Sequence, residues 1–113
     1  MRKLYATVAV LVLVATSVFA LTGVAGARGS TTIKLLSESF SPDKKSIAEG
    51  TKVKFKWVDG KHDIVKASGP GGSFDSGVFN TPGVHFTKKF KKSGTYKLIC
   101  TIHEDMKLKL NVG

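Results

Sequence analysis

The chain has 113 residues, and its 18 Lys and Arg against 8 Asp and Glu give a formal charge of +10 with neutral His. That length holds one small domain, and a single Cys excludes a disulfide within the chain. The charge favours encounter with acidic partners or anionic surfaces and carries no information about the fold.

Arg2 and Lys3 make a basic start, residues 4–27 carry no charge, and Ala25-Gly26-Ala27 is a small-x-small cleavage pattern. Residues 1–27 therefore read as a signal peptide. An uncleaved membrane anchor is the alternative, because about 20 apolar residues also span a bilayer. Residues 28–113 form one domain, long enough to bury roughly 60% of its unfolded surface. The protein is expected to be exported, to the periplasm or to the extracellular side or cell envelope, with membrane contact only if the leader is retained.

Downstream, short alternating runs separated by turn residues predict an antiparallel sandwich or barrel without helices. Thr32 to Leu36 is the first expected strand, followed by Phe40-Ser-Pro42, Ser46-Ile47 and a turn at Glu49-Gly50. Lys52 to Trp57 alternates cleanly, with Val53, Phe55 and Trp57 inward and three lysines outward. Ile64 and Val65 open a strand that ends in the Gly, Ser and Pro-rich loop Ala67 to Ser73, and Phe74 to Phe79 follows. Val84 to Phe90 returns as a strand, but Lys88 shares the face of Val84, Phe86 and Phe90, which marks an edge or a bulge. By the same parity His85 faces solvent. Lys91 to Gly94 turns the chain into Thr95 to Cys100, and Lys107 to Val112 alternates with Leu108, Leu110 and Val112 inward.

The chemistry concentrates in Cys100-Thr-Ile-His103-Glu-Asp-Met106, which sets a thiol, an imidazole and a thioether three residues apart. With His62 as a second imidazole, these are the donors of a type 1 copper centre: two His and one Cys in a plane with a weak axial Met. Tyr96, Leu98 and Cys100 share one strand face, so the thiol points inward. His62 and Ile64 share a face by the same rule. Fully extended, Cys100 to Met106 spans about 20 Å, so the segment must curl to bring its donors to one ion. A zinc ion on Cys and two His is chemically possible, but the soft Met106 argues for copper. Taken singly, Met106 is a core filler and Cys100 a small buried hydrophobe; their joint spacing with His103 is what points to a metal.

Residues 57–112 resemble the cupredoxin (type 1 blue copper protein) family, nearest in loop spacing to amicyanin and related to plastocyanin. The matching pieces are Trp57-Val-Asp-Gly-Lys-His62, Phe74-Asp-Ser-Gly77, Phe86-Thr-Lys-Lys-Phe90, Ser93-Gly-Thr-Tyr96 and Cys100 to Met106. The resemblance implies an all-β fold, a Greek-key β-sandwich of about eight strands, with one type 1 copper ion at one end. It implies that His62, Cys100, His103 and Met106 are the ligands, with an exposed His103 as the electron port. Four positions depart from the family pattern: Asp63 where Asn is common, Ile99 where plastocyanin has Tyr, Ile102 where Pro is frequent, and Leu108 where Gly is common.

The expected function is that of an exported one-electron carrier between redox proteins, a monomer and not an enzyme, since three His are too few for a multicopper oxidase. The alternative is a copper-trafficking or storage protein that holds Cu(I). Lys61 and Lys107 flank ligand positions and would steer a redox partner with an acidic surface. Lysines 88, 89, 91 and 92 read as a solvated face. A nucleic-acid partner is not expected, because no binding motif accompanies them.

Overall fold

The structure, a computed structural model, describes residues 29–113. The expected signal peptide, residues 1–27, lies outside them. Eight strands follow in order: β1 (Ser30–Leu35), β2 (Phe40–Ser41), β3 (Lys44–Ile47), β4 (Thr51–Trp57), β5 (Val65–Ser68), β6 (Gly83–Phe90), β7 (Gly94–Ile99) and β8 (Lys107–Val112). No helix occurs among the described residues.

The alternation that defines β4 and β8 in the sequence is realised. β4 buries Thr51, Val53, Phe55 and Trp57 and exposes Lys52, Lys54 and Lys56, while β8 buries Leu108, Leu110 and Val112. Such strands cover one apolar face each, and two sheets close over the shared core. One sheet runs β2-β1-β4-β6 and the other β3-β8-β7-β5. Ile33, Leu35, Phe55, Trp57, Leu98 and Leu110 are fully buried between them. Burying each large side chain contributes about 2–3 kcal/mol.

The expected antiparallel pattern is incomplete. β1 pairs with β4 in parallel, Ser30 beside Lys52 through Leu35 beside Trp57, and β3 pairs in parallel with β8. After β2, β3 and β4 the chain changes sheet each time, so β1 and β4 meet side by side only after a detour through β3.

β6 is both an edge and bulged. Phe86 faces Phe55 and Val84 faces Lys56, so His85 is the extra residue. The bulge reverses parity beyond it. Val84 is 48% exposed, while His85, expected to face solvent, is half-buried. Its ring stacks on Phe79 at 4.5 Å and meets Trp57 edge-on at 5.2 Å. This corrects the alternation-based reading of both residues. The irregularity also spoils the edge as a template for another strand.

Candidate metal centre

Two loops at one end of the sandwich converge. The β4–β5 loop carries His62, fully buried, and the β7–β8 loop carries Cys100, 4% exposed, with His103 and Met106. One donor atom from each of His62, Cys100 and His103 lies within 4.8 Å of the other two. Cys100 Sγ stands 3.9 Å from His62 Nδ1 and 3.7 Å from His103 Nδ1. The imidazole rings of His62 and His103 are 4.9 Å apart.

These separations can be tested against a bound ion. A first-row metal sits about 2.0–2.1 Å from imidazole nitrogen and about 2.3 Å from thiolate, so donors at 120° in a plane around it are about 3.8 Å apart. The two sulfur–nitrogen distances fall on either side of that value, so the residues fit the group. Met106 is 1% exposed and packs in the same core. The loop is curled as its length requires: the Cys100 amide donates to the Met106 carbonyl at 3.0 Å, and the Met106 amide to the His103 carbonyl at 3.4 Å. Asp105 takes φ +65° to close the turn, a conformation that Asp tolerates better than most residues.

Neighbouring groups aim the donors. His62 Nε2–H donates to the Asp59 carbonyl at 2.6 Å. That bond leaves Nδ1 as the bare nitrogen facing Cys100 Sγ. Gly60, at φ +90°, lets the loop pass: a Cβ there would meet His62 Nε2 at 3.0 Å. Trp57 Nε1–H donates to the His62 carbonyl at 3.1 Å, and His62 pairs with Phe79 through two backbone bonds of 3.0 Å. His62, Asp63 and Ile64 are all buried, so strand parity does not apply across this segment; loop bonds on both sides do the positioning.

Asp63 ties the two loops together. Its carboxylate accepts from the Thr101 amide at 2.7 Å and from the Thr101 hydroxyl at 2.6 Å. The sequence singles out Asp63 but gives no hint of Thr101 as its partner. It gives none of the Asp59 carbonyl either, because every residue has one.

His103 is half-buried, less open than expected. Among the described residues the four exposed large apolar ones, Val58, Val78, Val84 and Ile102, belong to segments that reach this end: Val58 follows Trp57, Val78 precedes Phe79, Val84 faces Lys56, and Ile102 adjoins His103. Glu38, Asp59, Glu104 and Asp105 are exposed in the same group of loops. Lys61 and Lys107 are exposed as expected, but carboxylates outnumber them here.

A closed β-sandwich with a buried thiol between two imidazoles, and a thioether in the same loop, is the architecture of single-domain blue copper proteins. No protein-family model matches the sequence, and no curated protein does. Solved structures do. A plastocyanin from Dryopteris crassirhizoma in its oxidised form aligns at 27% identity and TM-score 0.59, over 73% of this chain and 99% of that one. A reduced amicyanin mutant aligns at 16% identity and TM-score 0.67, over 74% and 82%. A copper-containing nitrite reductase from Thermus scotoductus SA-01 aligns at 26% and TM-score 0.65, over 74% of this chain but only 22% of the reductase. The described domain is a cupredoxin in fold, and its donor cluster has the composition of a type 1 copper site.

Proposed function

We propose that the protein is an exported one-electron carrier whose copper ion is held by His62, Cys100, His103 and Met106. The observation that carries this reading is the pair of distances from Cys100 Sγ to the two Nδ1 atoms, 3.9 and 3.7 Å, in a site where His62 and Cys100 are buried and His103 half-buried. Copper bound there supplies a Cu(II)/Cu(I) couple, with soft sulfur donors favouring the reduced ion and imidazoles suiting both. The protein's part is to hold the donors nearly fixed. The Asp59 carbonyl sets the His62 tautomer, Asp63 locks Thr101 beside Cys100, and the core excludes water from the thiol. Little then rearranges when the charge changes. That the solved relatives include one in an oxidised and one in a reduced form supports a redox role.

Electrons enter and leave at His103, the least buried of the three donors, across the apolar surface of Val58, Val78, Val84 and Ile102. The four carboxylates around that surface make a partner with a basic or neutral contact face the better match, in place of the acidic one expected from Lys61 and Lys107.

The test is a visible spectrum of the copper-loaded protein followed by voltammetry. An intense thiolate-to-copper band with reversible oxidation and reduction is expected. A colourless Cu(I) form that gives up its metal to a competing chelator would instead favour the trafficking or storage role.

A further inference from the structure

The lysines of this domain are placed unusually. Among the described residues the eight strands together contain no Asp or Glu, while lysines occur in seven of them besides the Lys-bearing turn after β6. On the sheet containing β4, Lys34 pairs with Lys56 and Lys52 with Lys89. Like charges directly opposite one another destabilise a sheet. No carboxylate stands opposite either pair in the sheet, so a partner outside the chain is the place to look for their compensation.

They are densest at the pole opposite the metal centre, where β4 begins at Thr51 and β6 ends at Phe90. Two grooves open there and share Lys89. One, of about 400 Å³, is lined by Lys88, Lys89, Lys91 and Lys92 together with Phe74 and Tyr96. The other, of about 330 Å³, is lined by Lys52, Lys54 and Lys89 with Gly29, Ser30 and Gly50. The wall of the first is braced: Lys66 Nζ donates to the carbonyls of Pro70, Gly71 and Gly72 at 2.6, 2.7 and 2.9 Å. The carboxylate nearest in sequence to this pole is Glu49, whereas Glu38, Asp59, Glu104 and Asp105 gather at the metal end. The molecule is therefore strongly dipolar along the strands.

The chain enters at the same pole. Ser30 opens β1 beside Lys52, and the Lys52 amide donates to the Gly29 carbonyl at 3.2 Å. The uncharged residues 4–27 and Arg28 lie immediately upstream.

We propose that this lysine pole docks on an anionic phospholipid surface, the two grooves receiving phosphate headgroups, so that the metal end faces away from the bilayer. A basic cluster is attracted by the surface potential of anionic lipid whether or not residues 1–27 are retained, and the dipole selects the orientation. This goes beyond the redox reading and does not depend on bound copper.

The test is sedimentation of the full chain, as purified, with phosphatidylglycerol-containing vesicles and with pure phosphatidylcholine vesicles. The neutral vesicles report any affinity of residues 1–27 alone. Each lysine near such a surface is worth about fivefold, so the triple variant Lys52→Gln/Lys89→Gln/Lys91→Gln is expected to lose about a hundredfold in affinity for anionic vesicles. The triple variant Lys44→Gln/Lys97→Gln/Lys109→Gln changes the net charge equally on the other sheet and is expected to lose far less. All the replaced lysines are exposed, and urea denaturation checks that both variants stay folded. Equal losses in the two variants would overturn the proposal, as would equal binding to both vesicle types. Capture by dextran sulfate with no binding to anionic vesicles would also overturn it, in favour of a polymeric polyanion.

Discussion

Replacing Asp63 by Asn removes a charge while leaving a hydrogen-bonding plan intact. In the structure the carboxylate accepts two bonds from Thr101. In the variant the amide oxygen still accepts from the Thr101 N–H, and the new NH2 donates to the Thr101 hydroxyl, which rotates to accept. The loop tie survives and the negative charge goes. The carboxylate is bonded to the amide next to Cys100, which puts it on the order of 7 Å from the donor cluster by ordinary backbone dimensions. At an effective dielectric constant of about 20, a unit charge at that distance contributes roughly 2 kcal/mol, or about 100 mV for one electron. A negative charge favours the oxidised ion, so Asp63→Asn is expected to raise the reduction potential by up to that amount in voltammetry. Thr101→Val is the control, since it loses one hydrogen bond at unchanged charge and is expected to shift the potential less. An unchanged or lowered potential in Asp63→Asn would refute the assignment of a through-space charge effect to this residue.

Gly60→Ala is expected to weaken copper binding, because its Cβ would press on His62 Nε2; the left-handed backbone there also costs roughly 1–2 kcal/mol, read as a lower urea midpoint even without metal. Cys100→Ser is expected to abolish the visible charge-transfer band while the apo-domain stays folded, and a retained band would exclude Cys100 as the thiolate donor. Burial raises the pKa of Tyr96 above its ordinary value near 10. The folded state therefore holds that proton more tightly than the unfolded one, its contribution is complete below pH 10, and stability is lost as pH rises through the folded value. Tyr96→Phe is expected to flatten that alkaline limb in denaturation measured against pH. Electron exchange with a cationic inorganic oxidant is expected to slow as salt rises, because local carboxylates rather than the net +10 charge govern the metal end; acceleration with salt would show that the whole-molecule charge dominates.

Much of this was legible in the residues. The β4 and β8 patterns are dictated by period-two alternation, and the sulfur and imidazole donors by types too costly to bury together without purpose. What was not legible depends on register. Strand parity makes His85 a surface residue until one extra residue in β6 turns it onto Phe79 and Trp57. The parallel pairing of β1 with β4 follows from sheet changes that no local pattern encodes. The hold on His62 comes from a backbone carbonyl, which carries no signature in any residue name. Charge at the metal end was legible only in part, since Lys61, Lys107, Asp59, Glu104 and Asp105 lie close to donors in the chain while Glu38 reaches that end only through the fold.

The crowding of carboxylates around His103 bears on how copies of this protein treat each other. Two molecules meeting with their donor clusters nose to nose would bring eight acidic groups together, and meeting flank to flank would oppose rows of lysines. Head-to-tail contacts are left, and these separate the two clusters by the length of a sandwich. Electron hopping between identical copies should therefore be slow, and each loaded molecule should keep its electron until a different protein collects it.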